Sequence, residues 1–358
     1  MDLKILVLSY IELEKEGRLL RAYNTLRDQH EVFLIDVSSK KAISSGKVSI
    51  QLKSKNNFIK NIEFCIKALY HARKMNFDVI YAHNYFTALS GVIISIFHGK
   101  KMMYDAYELY YPNSKEKFTF RDWVFYVFER VAIKWAKEVS CASEERALIM
   151  TGHYKLKKIP IVIKNIADYK GGSEIRRTLL ADEKIKIVYA GYLSNDRFLI
   201  ETLEKIEMSD IRDKIQFDIF GNGPLFDELY RLDKEKKFSC FNFMGIYNNK
   251  ELEGILTKYH IGYLAYPNKD YNNIFCSPNK LLDYVSNGLV VTAPFNYTLD
   301  KEINKNRIGI CNDNIIFAIK TIISDYESFS HNLSDYLSKN SWEHEKEKLL
   351  EVFGSWRG

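Results

Sequence analysis

Short runs of β-branched and aromatic residues alternate with segments of helical periodicity along the whole chain of 358 residues. In the first half, these runs predict strands at residues 4–9, 31–37, 78–82, 101–104, 138–141 and 160–163. In the second half, they predict strands at 186–190, 216–220, 242–244, 261–265, 290–293 and 309–311. Such alternation is typical of parallel sheets whose strands are joined by crossover helices. The pattern therefore predicts an α/β fold with two Rossmann-like, doubly wound domains.

Two domains are also expected from the length, because 358 residues exceed what one hydrophobic core usually supports. We place the first domain at residues 1–166 and the second at 167–339. Residues 340–358 include a helix with Leu349, Leu350 and Phe353 on one apolar face, and we expect it to cross back to the first domain. Ligands bind at the carboxyl ends of the strands in such sheets, so we expect the two domains to face a cleft that contains the site.

The composition is typical of a soluble globular protein, with 46% hydrophobic and 27% charged residues. The sequence has no apolar run of about 18 residues, so it predicts no membrane-spanning helix, and we expect no signal peptide at its start. The five cysteines are odd in number and never form a C-x-x-C pair. This spacing indicates neither a zinc site nor a disulfide framework and favours a reducing, cytoplasmic location.

Positive charge is concentrated in the first half: residues 1–166 hold 27 Lys and Arg against 17 Asp and Glu, and the rest of the chain holds 25 against 29. A basic half favours nucleic acid or an anionic membrane surface as a partner. Because zinc-finger spacing, an RNP-like aromatic signature and long basic runs are all missing, we expect no nucleic acid. Residues 56–74 and 115–137 instead combine apolar stripes with basic residues such as Lys60, Lys67 and Arg73, which favours a membrane interface. Helices packed against a sheet explain the stripes equally well.

Candidate chemistry lies in loops that follow predicted strands. After the strand at 186–190, Gly191 precedes Arg197, which we place at a helix start, where the helix dipole and the guanidinium favour a phosphate. An exposed arginine on a helix is the alternative. After the strand at 216–220, Gly221 and Gly223 permit close backbone approach to a ligand, although a tight turn explains them as well.

The segment 277–291, SPNKLLDYVSNGLVV, carries the most informative pattern. Lys280 and Asp283 share one face near a helix start, where Lys280 can neutralise a diphosphate and Asp283 can accept hydrogen bonds from ribose hydroxyls. Asn273, Ser277 and Asn279 are further candidates for donor binding, and we expect main-chain N–H groups of residues 273–277 to contact the ligand. The alternative is an ordinary surface ion pair.

In the first half, the segment DAYELYYP follows the strand at 101–104 and places two acids and three tyrosines at a carboxyl end. Here Tyr107 and Glu108 can orient sugar hydroxyls or polarise a leaving phosphate. His83 follows the strand at 78–82 and can join them, although a single histidine is more often structural. Gly17 completes the candidate donor-binding residues. The sequence contains no Asp-x-Asp pair, so we expect no metal or other cofactor, and cationic side chains and helix ends must stabilise the leaving nucleotide.

These residues resemble the GT-B glycosyltransferases, specifically the bacterial group called glycosyltransferase family 4 or group 1. The resemblance covers nearly the whole chain and rests on the segments 104–109 and 163–165, the glycine loops and the segment 277–291. It implies that the second domain binds a nucleotide diphosphate sugar, with Asp283 as the ribose acid and Arg197 and Lys280 as the diphosphate cations. The family often has a Glu, seven residues and a second Glu; here Phe275 and Asp283 stand at those positions. Tyr107 stands where many relatives have a histidine that contacts the donor sugar.

The resemblance further implies retaining, metal-independent transfer of a hexose or N-acetylhexosamine from a nucleotide-diphosphate sugar, with UDP as the expected nucleotide. Relatives with the SPNK form build O-antigen and capsule units on an undecaprenyl diphosphate carrier. The expected acceptor is therefore an undecaprenyl-diphosphate-linked saccharide, and the expected location is peripheral, on the anionic cytoplasmic face of the inner membrane. The expected catalytic residues are Arg197, Lys280, Tyr107, Glu108 and His83.

Two other functions stay open. A nucleotide-sugar epimerase shares the two-domain arrangement and needs acids and a base, for which Glu108 and His83 are available. A non-catalytic sugar- or lipid-binding partner within a polysaccharide assembly complex is favoured by Phe275 and Tyr107, which replace residues that many relatives use.

Overall fold

The computed structural model of the protein describes residues 2–40, 42–44, 46–112, 118–166, 179, 183–248 and 251–356. The chain divides into two compact units. The first contains Met1–Ile166, Asp270–Ser277 and Trp342–Gly358, and the second contains Ala167–Lys269 and Pro278–Ser341.

The strands, in chain order, are β1 Lys4–Leu8, β2 Glu31–Val37, β3 Ala42–Ser44, β4 Lys47–Ile50, β5 Val79–His83, β6 Lys101–Ala106, β7 Glu138–Cys141, β8 Ile161–Val162, β9 Ile185–Tyr192, β10 Ile215–Asn222, β11 Phe241–Gly245, β12 Ile261–Tyr263, β13 Val290–Ala293 and β14 Gly309–Cys311. The helices are α1 Gly17–Arg27, α2 Asn57–Ala72, α3 Tyr85–His98, α4 Phe120–Trp135, α5 Glu144–Tyr154, α6 Leu199–Glu207, α7 Phe226–Lys234, α8 Leu252–Leu256, α9 Tyr271–Ile274, α10 Asn279–Ser286, α11 Tyr297–Asn306, α12 Ile315–Ser324, α13 Tyr326–Lys339 and α14 Trp342–Gly354. Every strand predicted from the sequence is present, and the structure adds β3 and β4.

Each unit is built on one sheet. The first sheet has the order β3-β4-β2-β1-β5-β6-β7-β8, and its pairs are parallel except for β3 with β4. The second has the order β11-β10-β9-β12-β13-β14, with all pairs parallel. In both, the strand order reverses beside the first strand of the unit, at β1/β5 and at β9/β12. This confirms the predicted α/β class with two doubly wound bodies, and such reversals are where ligands bind in open α/β sheets.

Both faces of the first sheet are covered by helices, because alternate side chains of a strand point to opposite faces. Leu6 and Leu8 of β1 pack with residues of α2, α3 and α4, whereas Ile5 and Val7 pack with residues of α1 and α14. The carboxy-terminal helix α14 is part of this core: the indole of Trp342 donates a hydrogen bond to the hydroxyl of Thr25 in α1 at 3.0 Å. Among the described helices, none is long and apolar enough to cross a membrane.

Residues 270–277 belong to the first unit, although the sequence prediction placed them in the second domain. The reason is a set of long-range hydrogen bonds. The side chain of Asn272 accepts from the backbone N–H of Leu109 at 3.0 Å and donates to its carbonyl at 2.8 Å. The side chain of Arg146 in α5 donates to the carbonyl of Phe275 at 2.9 Å. Contacts between residues so far apart in the chain are invisible to local sequence patterns.

Candidate functional site

A pocket of about 170 Å³ in the second unit lies at the carboxyl ends of β9 and β12. This is the point where the strand order of the second sheet reverses. Its walls come from the end of β9, the turn after it, the segment after β12 and helix α10; the lining residues are Tyr189, Ala190, Gly191, Tyr192, Arg197, Leu264, Ala265, Tyr266, Lys280 and Tyr284. The pocket therefore brings the two predicted diphosphate cations, Arg197 and Lys280, to one place.

Arg197 is held in this pocket by two contacts. Its Nη1 donates to the carbonyl of Ala265 at 2.6 Å, and its guanidinium carbon lies 4.9 Å from the ring centroid of Tyr266. Asp196 lies beside it, with Oδ1 3.8 Å from Nε. Arg197 ends a short 3-10 turn, and Phe198, in the left-handed region at φ 54°, separates that turn from α6. Arg197 thus precedes the helix and does not open it as predicted, because the left-handed residue interrupts the helical backbone.

Lys280 and Asp283 lie in the first turns of α10, as predicted. Lys280 Nζ is 3.2 Å from Asp283 Oδ2, and their side chains are 26% and 31% exposed. The same ammonium lies 5.4 Å from the ring centroid of Tyr247, in the segment after β11. A surface pair at this spacing contributes only tenths of a kcal/mol, so a ligand can replace it at low cost.

The amino end of α10 adds a second attraction for anions. Pro278 occupies the capping position, and no side chain of the described residues caps the helix there. Asn279 is the exposed first residue of the helix, next to Lys280. Uncapped N–H groups at a helix start carry partial positive charge that favours phosphate. The helix end and Lys280 therefore act on the same side of the pocket.

Tyr284 fixes the position of α10 beneath these charges. It is fully buried, and its hydroxyl accepts a hydrogen bond from the backbone N–H of Ala190 at 2.9 Å. Burial raises the pKa of this phenol well above its usual value, so it stays neutral. A Cβ on Gly262 in β12 would lie 2.3 Å from the Tyr284 ring, so only glycine leaves room for it. Tyr284 was not among the residues predicted from the sequence, although its place one turn after Lys280 on the same helix was a usable signal.

The glycines of the neighbouring loop have a structural explanation. Gly221 and Gly223 adopt φ values of 149° and 154°. A Cβ at Gly221 would lie 1.9 Å from the carbonyl oxygen of Gly191, and one at Gly223 would lie 2.3 Å from that of Leu193. These two glycines therefore allow the ends of β9 and β10 to approach each other. This close packing accounts for glycine at both positions without any contact to a ligand. Of the predicted glycines in this unit, Gly191 lines the pocket.

In the first unit, the carboxyl end of β6 holds a buried charge cluster around Asp105. Arg18 donates to it through Nε at 3.0 Å and Nη2 at 2.7 Å. Three further donors come from neighbouring strands: the Tyr81 hydroxyl at 3.1 Å, His83 Nδ1 at 2.9 Å and the Ser140 hydroxyl at 2.8 Å. Every member is less than 3% exposed. The carboxylate therefore has its hydrogen-bonding capacity filled from within the unit.

The electrostatics of this cluster follow from its burial. Burial alone would raise the pKa of Asp105, but the Arg18 guanidinium and the hydrogen bond from His83 hold it well below its usual value. Burial also opposes the charge on Arg18, yet the Asp105 carboxylate raises the pKa of the guanidinium. Both groups are therefore charged. Arg18, which the sequence analysis missed, follows Gly17 at the start of α1.

The predicted residues around this cluster differ in access. His83 is 2% exposed, and its Nε2 has no hydrogen-bond partner among the described residues. Burial raises the pKa of Tyr107, whose hydroxyl accepts a hydrogen bond from the Asn165 side chain at 3.5 Å. Glu108 is exposed beside it, and Gly17 is exposed at the start of α1. Glu108 and Gly17 can thus meet a ligand directly, whereas His83 is covered.

Arg146 joins the Tyr107 segment to residues 270–277. It is 5% exposed, and its partners are carbonyl oxygens: Tyr107 at 2.7 Å, Phe275 at 2.9 Å and Asn272 at 3.4 Å. Burial lowers the pKa of this guanidinium from its usual value. No sequence signal marks Arg146, because its partners are more than 100 residues away or are backbone atoms.

The main-chain N–H groups expected to contact a ligand are partly used within the same segment. The N–H groups of Asn273 and Ile274 donate to the carbonyl of Asp270 at 3.1 and 2.8 Å, and that of Phe275 donates to the carbonyl of Tyr271 at 2.9 Å. The cause is helix α9, capped by the Asp270 side chain. The N–H groups of residues 273–275 are thus already engaged within the first unit, and their contact with a ligand stays a prediction. Ser277 is half-buried at the end of the segment.

Comparison with known proteins establishes the fold. No protein-family model matches the sequence, and no relative was found among curated proteins. Among solved structures, HepE from Anabaena in complex with UDP superposes with a TM-score of 0.72 at 14% identity, over 98% of this chain and 100% of that one. Sucrose-phosphate synthase from Thermosynechococcus elongatus has a TM-score of 0.72 at 12% identity, over 99% of both chains. WaaG, a glycosyltransferase involved in lipopolysaccharide biosynthesis, has a TM-score of 0.66 at 14% identity, over 97% of this chain and 99% of that one. The chain has the fold of GT-B glycosyltransferases, as the resemblance implied.

Proposed function

We propose that the protein is a retaining, metal-independent glycosyltransferase that moves a hexose or N-acetylhexosamine from a UDP-sugar to a lipid-linked saccharide in surface polysaccharide synthesis. The observation that carries the proposal is the pocket of the second unit, where Arg197, Lys280 and the uncapped start of α10 meet at a strand-order reversal. HepE, which shares the fold, has been crystallised with UDP and with UDP-glucose.

In this proposal the diphosphate binds against the two cations and the start of α10. Both cations are already oriented, Arg197 by Ala265 and Tyr266 and Lys280 by Asp283 and Tyr247. As the bond between sugar and diphosphate breaks, negative charge grows on the leaving phosphate, and fixed positive groups stabilise that charge. Asp283 exchanges its pairing with Lys280 for the ribose hydroxyls. No metal is required, because the cations and the helix end supply the positive charge.

The residues proposed to act in the first unit are Tyr107, Glu108 and His83. Glu108 is the exposed carboxylate at the carboxyl end of β6, so we assign it contact with a sugar hydroxyl. His83 is covered and holds Asp105 through Nδ1, so we assign it a positioning role for the Tyr107 segment. The conservative variant His83→Asn should therefore change the KM for acceptor more than the Kd for UDP.

Binding of UDP tests the core of the proposal. Wild-type protein should bind UDP in calorimetry. The variants Asp283→Ala and Lys280→Met should each weaken it by about tenfold or more, since charge-assisted hydrogen bonds contribute roughly 1.5–3 kcal/mol. Arg197→Lys should also weaken binding, because a lysine cannot both stack on Tyr266 and present a guanidinium fork. A matched control is Asp213→Ala on the exposed surface of the same unit. Unchanged UDP affinity in all three site variants would reject the assigned roles.

Turnover tests the reaction itself. A thermal-shift screen of nucleotide sugars identifies the donor, since a ligand that binds the native state raises the melting temperature. The chosen donor is then incubated with an undecaprenyl-diphosphate-linked saccharide, and release of UDP with extension of the acceptor is measured. An isomerised donor in the absence of acceptor would instead support an epimerase. Nucleotide binding without any turnover across donors and lipid acceptors would support a non-catalytic partner.

We also propose that the first unit acts at an anionic membrane surface. Its outer helices keep large apolar side chains exposed: Ile59, Ile66 and Tyr70 on α2, and Phe120, Trp123, Val127, Val131 and Trp135 on α4. Another member of the predicted α2 stripe, Cys65, is buried, so the helix is both packed and outward-facing. Flotation with vesicles containing phosphatidylglycerol should show binding that falls with added salt and in a Lys60→Gln/Lys67→Gln/Arg73→Gln variant. Absence of lipid-dependent flotation at low salt would remove this part of the proposal.

A further inference from the structure

A second pocket, which we call the lysine pocket, lies in the first unit at the edge where β7 and β8 begin. It has a volume of about 420 Å³ and is lined by the end of α4, the start of β7 and residues 155–160 after α5. Tyr107 and Glu108 follow the opposite, carboxyl end of the same sheet. The lysine pocket is therefore separate from Tyr107 and Glu108.

The lining of the lysine pocket is strongly cationic. It contains five exposed lysines, Lys134, Lys137, Lys155, Lys157 and Lys158, against one acid, Glu138. Lys158 uses that acid, with Nζ 2.6 Å from its Oε1. Within the described ranges of the chain, no carboxylate lies within ion-pair distance of the other four. Partial desolvation and the neighbouring Lys101 lower the pKa of Lys137, as expected when ammonium groups crowd together.

Helix ends do not account for this charge. Lys134 lies in the last turn of α4, and Lys155 is the residue after α5, where lysines commonly offset the helix dipole. Each helix end is equivalent to roughly half a negative charge, so two ends and Glu138 offset about two of the five lysines. An excess of about three positive charges remains in one concave site. Such an excess favours an anionic ligand with several oxygen acceptors.

Exposed apolar side chains lie in the pocket and next to it in the chain. Ile159, which lines the pocket, is 56% exposed, and Trp135, which stands between the lining residues Lys134 and Ala136 in the sequence, is 50% exposed. The indole N–H of Trp135 donates to the Ser95 hydroxyl of α3 at 2.9 Å, and Phe97 in the same helix is 55% exposed. Basic side chains with exposed tryptophan and aliphatic residues are typical of surfaces that meet lipid headgroups. A free inorganic anion has no apolar surface, so it would gain no binding free energy from these exposed apolar side chains.

We propose that the lysine pocket binds the phosphate of an anionic phospholipid headgroup, with Trp135 and Ile159 against the adjoining acyl region. The inference rests on the proposed action of the first unit at a membrane surface. It adds a defined headgroup site to the general attraction of a basic face. A free inorganic phosphate offers the same chemistry to the lysines, so the experiment must separate the two sources.

The test uses the full-length protein and vesicles of phosphatidylcholine with and without phosphatidylglycerol. The variant Lys137→Glu/Lys157→Glu should lose about 30-fold or more in affinity for the phosphatidylglycerol vesicles, because each basic residue near the surface contributes about 1 kcal/mol and reversal exceeds neutralisation. Ile159→Ser keeps the charge of the pocket, so its affinity for the same vesicles should fall by a smaller factor. The charge-matched control Lys237→Glu/Lys258→Glu, on exposed lysines of the second unit, should bind as wild type does. Melting curves of all variants confirm folding.

The outcomes separate the headgroup site from the rest of the proposal. If Lys137→Glu/Lys157→Glu binds the vesicles as tightly as wild type while the α2 variant Lys60→Gln/Lys67→Gln/Arg73→Gln does not, the pocket inference is wrong and the membrane proposal stands. If inorganic phosphate competes with the vesicles at millimolar concentration and stabilises wild type but not the pocket variant, the site takes free phosphate and the lipid assignment is overturned. UDP affinity should be the same in all these variants, so loss of nucleotide binding cannot be mistaken for loss of lipid binding.

Discussion

Asp105 in the first unit and Asp283 in the second each pair with a cation, yet the two carboxylates have opposite surroundings. Asp105 is fully buried and accepts hydrogen bonds from Arg18, Tyr81, His83 and Ser140. Asp283 has a side chain that is 31% exposed and pairs with Lys280 at 3.2 Å. A buried ion pair is costly to break, whereas a half-exposed one is easily exchanged. The first carboxylate therefore belongs to the framework of its unit, and the second is available to a ligand.

The largest expected effect is that of Asp105→Asn on stability. This variant keeps the shape of the side chain but leaves the Arg18 guanidinium buried without its counter-charge, which typically costs about 3–5 kcal/mol. Denaturant unfolding measures the loss, with Asp283→Asn as the matched control, for which we expect a change within about 0.5 kcal/mol. Equal losses in the two variants would contradict the distinction between them.

Tyr284→Phe should have the next largest effect. The variant removes the hydroxyl that accepts from the Ala190 N–H, and a buried donor left without a partner costs about 1–3 kcal/mol. Tyr230→Phe, at a tyrosine that is 52% exposed, is the control and should unfold as wild type does. A stability loss for Tyr284→Phe with only a modest change in UDP affinity would show that the second unit also has a buried structural contact next to the exchangeable pair Lys280–Asp283. If the variant were as stable as wild type, the Tyr284 hydroxyl would have no such structural role.

Acid should weaken the first unit through Asp105. Its pKa is lower in the folded protein than in the unfolded chain, so the stabilisation is fully present above the usual aspartate pKa and is lost as the pH falls below about 4. One proton contributes a slope of up to about 1.4 kcal/mol per pH unit. Asp105→Asn lacks the titrating carboxyl and should therefore have a shallower slope below about pH 4, which unfolding curves between neutral and acidic pH can measure. An identical slope in wild type and variant would argue against Asp105 as the titrating group.

The smallest effect concerns the pair in α10. A double-mutant cycle with Lys280→Gln and Asp283→Asn should give a coupling free energy of about 0.2–0.5 kcal/mol, the usual value for an exposed pair at this spacing. The coupling free energy is obtained from the unfolding free energies of wild type, the two single variants and the double variant. A coupling above about 1.5 kcal/mol would mean that the pair is structural and would move Asp283 toward the behaviour of Asp105.

Much of the fold was predictable because buried parallel strands produce short apolar runs. The strands at Glu31–Val37 and Glu138–Cys141 were predicted with their exact bounds. Strands β3 and β4 were missed: β3 is a three-residue edge strand with every residue exposed, and β4 has only four residues, of which Val48 and Ile50 are apolar, so neither forms a clear apolar run. Lys280 and Asp283 could be placed on one helix face from their spacing alone.

The rest of the site depends on contacts that no local pattern encodes. Tyr266 and Tyr247 reach Arg197 and Lys280 from loops that follow other strands. Residues 270–277 come directly before helix α10 in the chain, yet hydrogen bonds to Arg146 and Leu109 hold them in the first unit. Phe275, which stands where the resemblance suggests an acid, contributes its carbonyl to Arg146. Backbone atoms used in this way leave no trace in residue identity.

The fit between Gly262 and Tyr284 limits how this protein can change. Any larger residue at position 262 is tolerated only after the ring at 284 has become smaller, and a smaller ring abandons the backbone of Ala190. Neither single replacement is an easy intermediate, so the two positions should be inherited as a pair. A chimera that combines β12 of one parent with α10 of another should misfold when it places a residue larger than glycine at position 262 opposite a tyrosine at position 284.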